Sequence, residues 1–247
     1  KTMIFEKFSM NFDKKKRSKN KVKFLVFHYT GMQSEVESLK RLLSPKSKVS
    51  CHYFINSSGK VTRLVPDSFS AWHAGKSNWK GINLLNRYSI GIELANPGHQ
   101  FGYRKFNKPQ LNSLKKISKT LIKKFKILKT NVVGHSDIAP LRKKDPGEKF
   151  PWKIFASSNI GLWHKLKSSE LKTKRKNKIK KKEKKLFFQY IKRIGYKTRY
   201  NIKKSIYEKK VIQAFQRRFR PENLSGIIDQ ECLLIAKNLA FLIKNKT

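Results

Sequence analysis

The sequence predicts an α/β fold with a mixed central β-sheet flanked by helices over residues 21–163, followed by a small C-terminal three-helix bundle over 186–247. Three observations predict it. Apolar, β-branched runs of strand length alternate with amphipathic runs of helix length. Residues 164–185, KLKSSELKTKRKNKIKKKEKK and the histidine before it, are almost free of apolar side chains and read as a self-repelling linker or solvated helix. Beyond them three helical patterns fill the remaining chain.

The elements follow in order. Residues 1–20 end in DKKKRSKNK and read as an exposed lead-in. VKFLVFHYT (22–30) reads as a buried strand. Residues 34–43 form a helix whose cap is Ser34, with Glu37 three positions on as a capping box requires. Residues 51–65 make a hairpin around Asn56-Ser57-Ser58-Gly59, and YSIGIELAN (88–96) is another strand. Residues 109–127 are an amphipathic helix with Leu111, Leu114, Ile117, Leu121 and Phe125 on one face and lysines on the other. NVVGH (131–135) is a short strand. In the last unit, FFQYIKRIGY closes a helix on Gly195, residues 205–219 form a second, and Asp229 caps a third over 229–243.

The charge is lopsided, 59 Lys+Arg against 15 Asp+Glu, for a formal +44. Such a balance suits an anionic partner such as nucleic acid, a membrane surface or an acidic wall polymer. The lysines are spread along the whole chain, however, as a lysine-biased composition filling solvated positions would spread them. No apolar run approaches the roughly 18 residues of a spanning helix. The two cysteines, Cys51 and Cys232, fall in separate units, which argues against a disulfide.

Chemistry concentrates at strand ends. His28 closes the first strand, His135 closes a later one, and Asp145 follows in GHSDIAPLRKKDPG. Two imidazoles and a carboxylate are a sound ligand set for Zn²⁺, with a fourth position left for water. A single buried histidine is more often a hydrogen-bonded core residue, so the set alone is a weak signal. Its surroundings strengthen it. FHYT, SCHYFI, AWHAG, SIGIELAN and GHSDIAPLRKKDPG stand in the order and spacing of the zinc-dependent N-acetylmuramoyl-L-alanine amidases, and residues 22–155 resemble the branch of that family that cleaves anhydromuropeptides and related wall fragments.

The resemblance implies a fold, an activity and a set of roles. The fold is the peptidoglycan-recognition type, and the activity is hydrolysis of the amide between N-acetylmuramic acid, or its anhydro form, and L-alanine. His28, His135 and Asp145 match the zinc ligands. Glu93 matches the glutamate that activates water and passes a proton to the leaving amine. Lys143 matches the lysine that stabilises the oxyanion, while Arg142 and Lys144 read as solvated cations. His52, Trp79 and Asn86 match positions bordering the substrate, with packing an equal reading for His52 and Trp79. His73 holds a loop, and His99 and His164 lie outside every motif.

AFQRRFRPENLSGIIDQECL resembles a peptidoglycan-binding three-helix module. That implies peptidoglycan or muropeptide fragments as the partner and the periplasm or cell envelope as the compartment, with the cytoplasm as the alternative. Two rival functions remain: a non-catalytic recognition protein, disfavoured because all three ligands are present, and a nucleic-acid binder, disfavoured because no nucleic-acid motif occurs.

Overall fold

The computed structural model describes residues 3–244; residues 1–2 of the expected lead-in and 245–247 of the expected C-terminal unit lie outside the described residues. The strands are β1 (Ile4–Glu6), β2 (Phe12–Asp13), β3 (Phe24–Tyr29), β4 (Tyr53–Ile55), β5 (Val61–Arg63), β6 (Ser70–Ala71), β7 (Asn78–Trp79), β8 (Ile82–Asn83), β9 (Ser89–Leu94) and β10 (Val132–Gly134). The helices are α1 (Glu35–Leu43), α2 (Lys108–Phe125), α3 (His135–Ile138), α4 (Trp152–Ser157), α5 (Ser168–Lys174), α6 (Lys181–Ile194), α7 (Lys204–Phe219) and α8 (Gln230–Lys244).

Six strands form the central sheet in the order β1-β5-β4-β9-β3-β10. β4, β9, β3 and β10 run parallel, while β5 is antiparallel to β4 in the predicted hairpin. Asn56 turns that hairpin, accepting Gly59 N with its carbonyl and Lys60 N with its side chain. The lead-in is not merely exposed chain. β1 pairs in parallel with β5, and Arg63 is ion-paired to Glu6 across that edge. The reason is local: Ile4-Phe5-Glu6 supplies enough extended backbone to satisfy an otherwise open sheet edge.

The parallel strands are covered on both faces, which is why they read as continuous apolar runs. On β3, Leu25 and Phe27 pack with Ile90, Ile92 and Leu94 of β9 against Leu114, Ile117 and Leu121 of α2 and the Phe150, Trp152 and Phe155 cluster. Phe24 and Val26 face the other way. There they share one core with Trp79, Leu85 and Val133 and with Phe187, Ile191, Phe215 and Phe219 of the C-terminal helices. The two faces of one strand thus define two cores. Cap chemistry follows the sequence: Ser34 Oγ accepts Glu37 N at 3.2 Å, and Asp229 Oδ1 accepts Cys232 N at 2.9 Å. Glu37 does not close the box; its carboxylate pairs with Lys40.

The charged stretch over 164–185 is not extended. It holds α5, whose Leu171 is buried in the shared core, and the first turn of α6. Arg175 makes a two-pronged contact with Glu231 of α8 at 2.6 and 2.8 Å, and Asp229 accepts Lys176 N. These acids neutralise part of the repulsion that a reading of the stretch in isolation counts in full. Cys51 and Cys232 are both free and buried. Among the described residues, no helix is long and apolar enough to cross a membrane.

Candidate active site

His28, Glu93 and His135 emerge at the carboxyl ends of three adjacent parallel strands, where ligand sites of α/β sheets form. In the β3–β9 register His28 lies directly opposite Glu93. Because β3 alternates, His28 shares its face with Phe24 and Val26 and projects beyond that core. His135 begins α3 straight after β10, and Asp145 returns to it through the following loop, where Ser136 N donates to the Asp145 carbonyl at 2.8 Å.

The three predicted ligands converge. His28 Nδ1 is 3.0 Å from His135 Nδ1 and 2.9 Å from Asp145 Oδ2, and His135 Nδ1 is 3.0 Å from the same oxygen. Tetrahedral zinc ligands stand roughly 3.3 Å apart, so the triangle is near the size a metal requires. The hydrogen-bond network fixes which nitrogen is free. Ser89 Oγ donates to the Leu85 carbonyl at 2.6 Å, so it accepts from His73 Nε2 at 3.1 Å. His73 Nδ1 then accepts from His28 Nε2 at 3.0 Å. His135 Nε2 donates to the Ala74 carbonyl at 3.2 Å. Both Nδ1 atoms are left with lone pairs aimed at a carboxylate oxygen, and a cation is what resolves three converging acceptors. The donor set of two neutral imidazoles and one carboxylate fits Zn²⁺.

The electrostatics agree. Burial, with His135 adding to it, lowers His28 to about 4, so it is neutral at physiological pH. Burial also holds His73 well below the usual histidine range. Burial alone would raise Asp145, but His135 and His28 outweigh it and keep the carboxylate ionised. Glu93 differs: burial, and then the Asp145 charge, push it well above the usual carboxylate value. Its Oε1 is 4.0 Å from His28 Nδ1, and its buried Oε2 has no partner among the described residues. A carboxyl with a raised pKa and a free oxygen beside a metal site is poised to exchange a proton.

These groups open on a cavity of about 800 Å³, lined among others by Glu93, Lys143, Asp145, Tyr29, Trp72 and Arg41. Lys143, expected from the sequence to meet an oxyanion, lines the same cavity. Arg142 is not simply a solvated cation; its guanidinium clasps the carbonyls of Ala74 and Lys76 and so closes the loop that His135 also holds.

The three residues matched to substrate positions sit elsewhere. His52 is 0% exposed, accepting Gly91 N at 3.0 Å and facing Arg17 at 2.9 Å. Trp79 is 1% exposed and packs edge-on against Tyr196 at 4.8 Å, with its indole N–H donated to the Thr130 carbonyl. No sugar ring reaches either side chain. Asn86 spends its oxygen on the backbone N–H groups of His73 and Ala74, positioning the loop, and is not among the residues lining the cavity.

Sequence reasoning passed over His99, which lines the cavity. It bonds Tyr29 at 2.8 Å and Glu148 at 3.0 Å, and Glu148 meets Arg217 at 3.6 Å. It also gave His73 only a loop. Here Gly91 is the enabling residue, because a Cβ there would lie 2.4 Å from the His73 ring. The glycine in SIGIEL was the available signal for that close approach.

The N-acetylmuramoyl-L-alanine amidase family model matches residues 18–148, more than half the chain and all three residues of the His28–His135–Asp145 triangle. The chain belongs to that family. The amidase is 34% identical over 231 residues to AmiD of Escherichia coli K12, covering 89% of this chain and 82% of the relative. It is 34% identical over 168 residues to the 1,6-anhydro-N-acetylmuramyl-L-alanine amidase AmpD of Haemophilus influenzae, covering 61% of this chain and 89% of that one. Among solved structures, E. coli AmiD in complex with anhydro-N-acetylmuramic acid-L-Ala-D-γ-Glu-L-Lys superposes with a TM-score of 0.80 at 34% identity, over 90% of each chain. AmpDh3 of Pseudomonas aeruginosa gives 0.78 at 30% identity, over 93% and 94%. At that coverage the likeness includes the C-terminal helices of the amidase.

Proposed function

We propose that the protein is a Zn²⁺ enzyme that hydrolyses the amide between N-acetylmuramic acid, or its anhydro form, and the L-alanine of the stem peptide. The observation that carries this reading is the triangle of His28 Nδ1, His135 Nδ1 and Asp145 Oδ2 with Glu93 beside it. The solved complex of AmiD with an anhydromuramoyl peptide supports this substrate class. Zn²⁺ held by these residues would polarise the scissile carbonyl and acidify a water.

The chain's own residues do the rest. Glu93 takes the proton of the attacking water on its free carboxylate oxygen and delivers it to the alanine nitrogen as the C–N bond breaks, a role that suits its raised pKa. Lys143 offers its ammonium to the developing oxyanion. The His28–His73–Ser89 chain and the His135–Ala74 bond hold both imidazoles in the tautomer that presents Nδ1. The cationic rim of Arg41 and Lys144 suits the carboxylates of a stem peptide.

Residues 186–247 are read as a peptidoglycan-binding module that keeps the catalytic unit on polymer, and the compartment as periplasm or cell envelope. The distributed positive charge favours contact with carboxylate-rich wall polymer.

Mass spectrometry of intact sacculi and of purified anhydromuropeptides, each incubated with the protein with and without a zinc chelator, tests the proposal. Chelator-sensitive release of free stem peptides is the expected outcome, and the better substrate assigns wall turnover or fragment recycling. Sedimentation with sacculi without any release would make the protein a recognition protein instead.

A further inference from the structure

The C-terminal helices touch the turn that carries His135. Arg218, in the last turn of α7, donates from Nη1 to Asp137 Oδ2 at 2.6 Å and from Nη2 to the Val132 carbonyl at 2.9 Å. Its guanidinium lies over the Trp152 ring at 4.1 Å. Tyr196, just past α6, donates its hydroxyl to Asp137 Oδ1 at 2.5 Å. The remaining donor to that carboxylate is local, Gly134 N at 2.8 Å on Oδ2. The ion pair is closed to water, with the Arg218 and Asp137 side chains 3% and 0% exposed.

Asp137 belongs to α3, a helical turn of four residues that starts on His135. Three of the contacts above fix that turn from both ends: Gly134 before the histidine, Asp137 after it, and Val132 on the strand that leads in. Two of the three side-chain bonds to Asp137 and the bond to Val132 come from residues more than 50 positions away. A four-residue turn has too few internal hydrogen bonds to hold its own geometry. A ligand nitrogen, in contrast, must be placed within about 0.2 Å to keep metal affinity.

We propose that Arg218 and Tyr196, acting through Asp137, are positioning residues of the metal site, so that the C-terminal helices form part of the shell that holds His135 in ligand geometry. The inference rests on the reading of His135 as a metal ligand. It gives these helices a role distinct from binding polymer, one that operates on small soluble fragments as well.

The test compares full-length wild type, Tyr196→Phe, Arg218→Met and Arg218→Lys. Zn²⁺ affinity of the metal-stripped proteins is measured by competition with a chromophoric chelator, with near-UV circular dichroism reporting that each is folded. Removing a group that orients a metal ligand typically weakens binding about 10–100-fold. Tyr196→Phe keeps the ring and deletes only the hydroxyl; it should fall at the low end of that range, Arg218→Met at the high end, and Arg218→Lys should recover part of the loss. An interface that serves only as glue would lower the melting temperature and leave the affinity of the folded protein unchanged. Affinities within twofold of wild type in the folded variants overturn the proposal; if Arg218→Met does not fold, Tyr196→Phe decides alone. Wild type that fails to take up one Zn²⁺ would remove the ligand reading, and this inference with it.

Discussion

Glu93 keeps a buried oxygen without a partner among the described residues, an arrangement that costs folding free energy and is characteristic of functional sites. Glu93→Gln is therefore expected to lower turnover by about 10²–10⁴-fold while Zn²⁺ still binds one per chain, checked by steady-state kinetics beside metal titration. Lys143→Met should lower kcat by about 10²–10³-fold with little change in KM, because the ammonium acts on charge that develops after binding. His52 supplies a pH prediction. Burial, and then the charge of Arg17, depress it to about 3 from 6.5, so the folded state prefers it neutral. Its contribution to stability is complete above about pH 6.5 and is lost as pH falls toward 3. Acid denaturation of His52→Gln, followed by circular dichroism, should show a shallower loss over that window. At this scale the convergence of His28, His135 and Asp145 beside Glu93 was legible because each sits in a short motif at or just after a strand end. The misplaced residues share a different trait. His52, Trp79 and Asn86 lie near those motifs in sequence, but their partners (Arg17, Tyr196 and the His73 backbone) are set by folding, which no local pattern reveals.

Among the elements, the strand register does the most for the site. One shift of β9 against β3 would turn Glu93 to the α2 face and exchange it with Ile92 or Leu94, so the apolar alternation that builds the second core also aims the Glu93 carboxylate at the cavity. That much could be read from FLVFHY and SIGIEL. The three-residue strand β1 could not, because so short a run carries no period, and the docking of α5 into the core could not, because its single buried side chain, Leu171, stands among lysines. The β7–β8 hairpin gives a clean contrast between packing and recognition. Trp79→Ala is expected to destabilise the protein by about 3–5 kcal/mol, as truncation of a buried aromatic does, and to leave KM for muropeptides unchanged. Chemical denaturation paired with kinetics below the midpoint separates the two; a large rise in KM at full stability would restore the sugar-stacking role.

Over the whole molecule, the boundary read near residue 164 marks a change in composition and not a gap in the core. Phe24 and Val26 of the sheet and Phe187, Ile191 and Phe215 of the helices belong to one cluster. The buried Arg218–Asp137 pair and the stacked contact of Gly195 on Trp79, where an added Cβ would come within 2.4 Å of the indole, leave no room for slippage. Scanning calorimetry of the full chain should give one transition whose calorimetric and van't Hoff enthalpies agree; two resolved transitions would mean separately folding units. The shared cluster also has a consequence in time. A ribosome delivers residues in order, at about 5–20 per second, so the roughly 55 residues between the sheet domain and the end of α7 take about 3–11 s to arrive. Throughout that interval Phe24, Val26 and Val133 of the sheet, with Trp79 of the β7–β8 ribbon, lack the cover that Phe187, Ile191 and Phe215 supply. The nascent amidase therefore carries that apolar surface without its helical cover until α6 and α7 have been made.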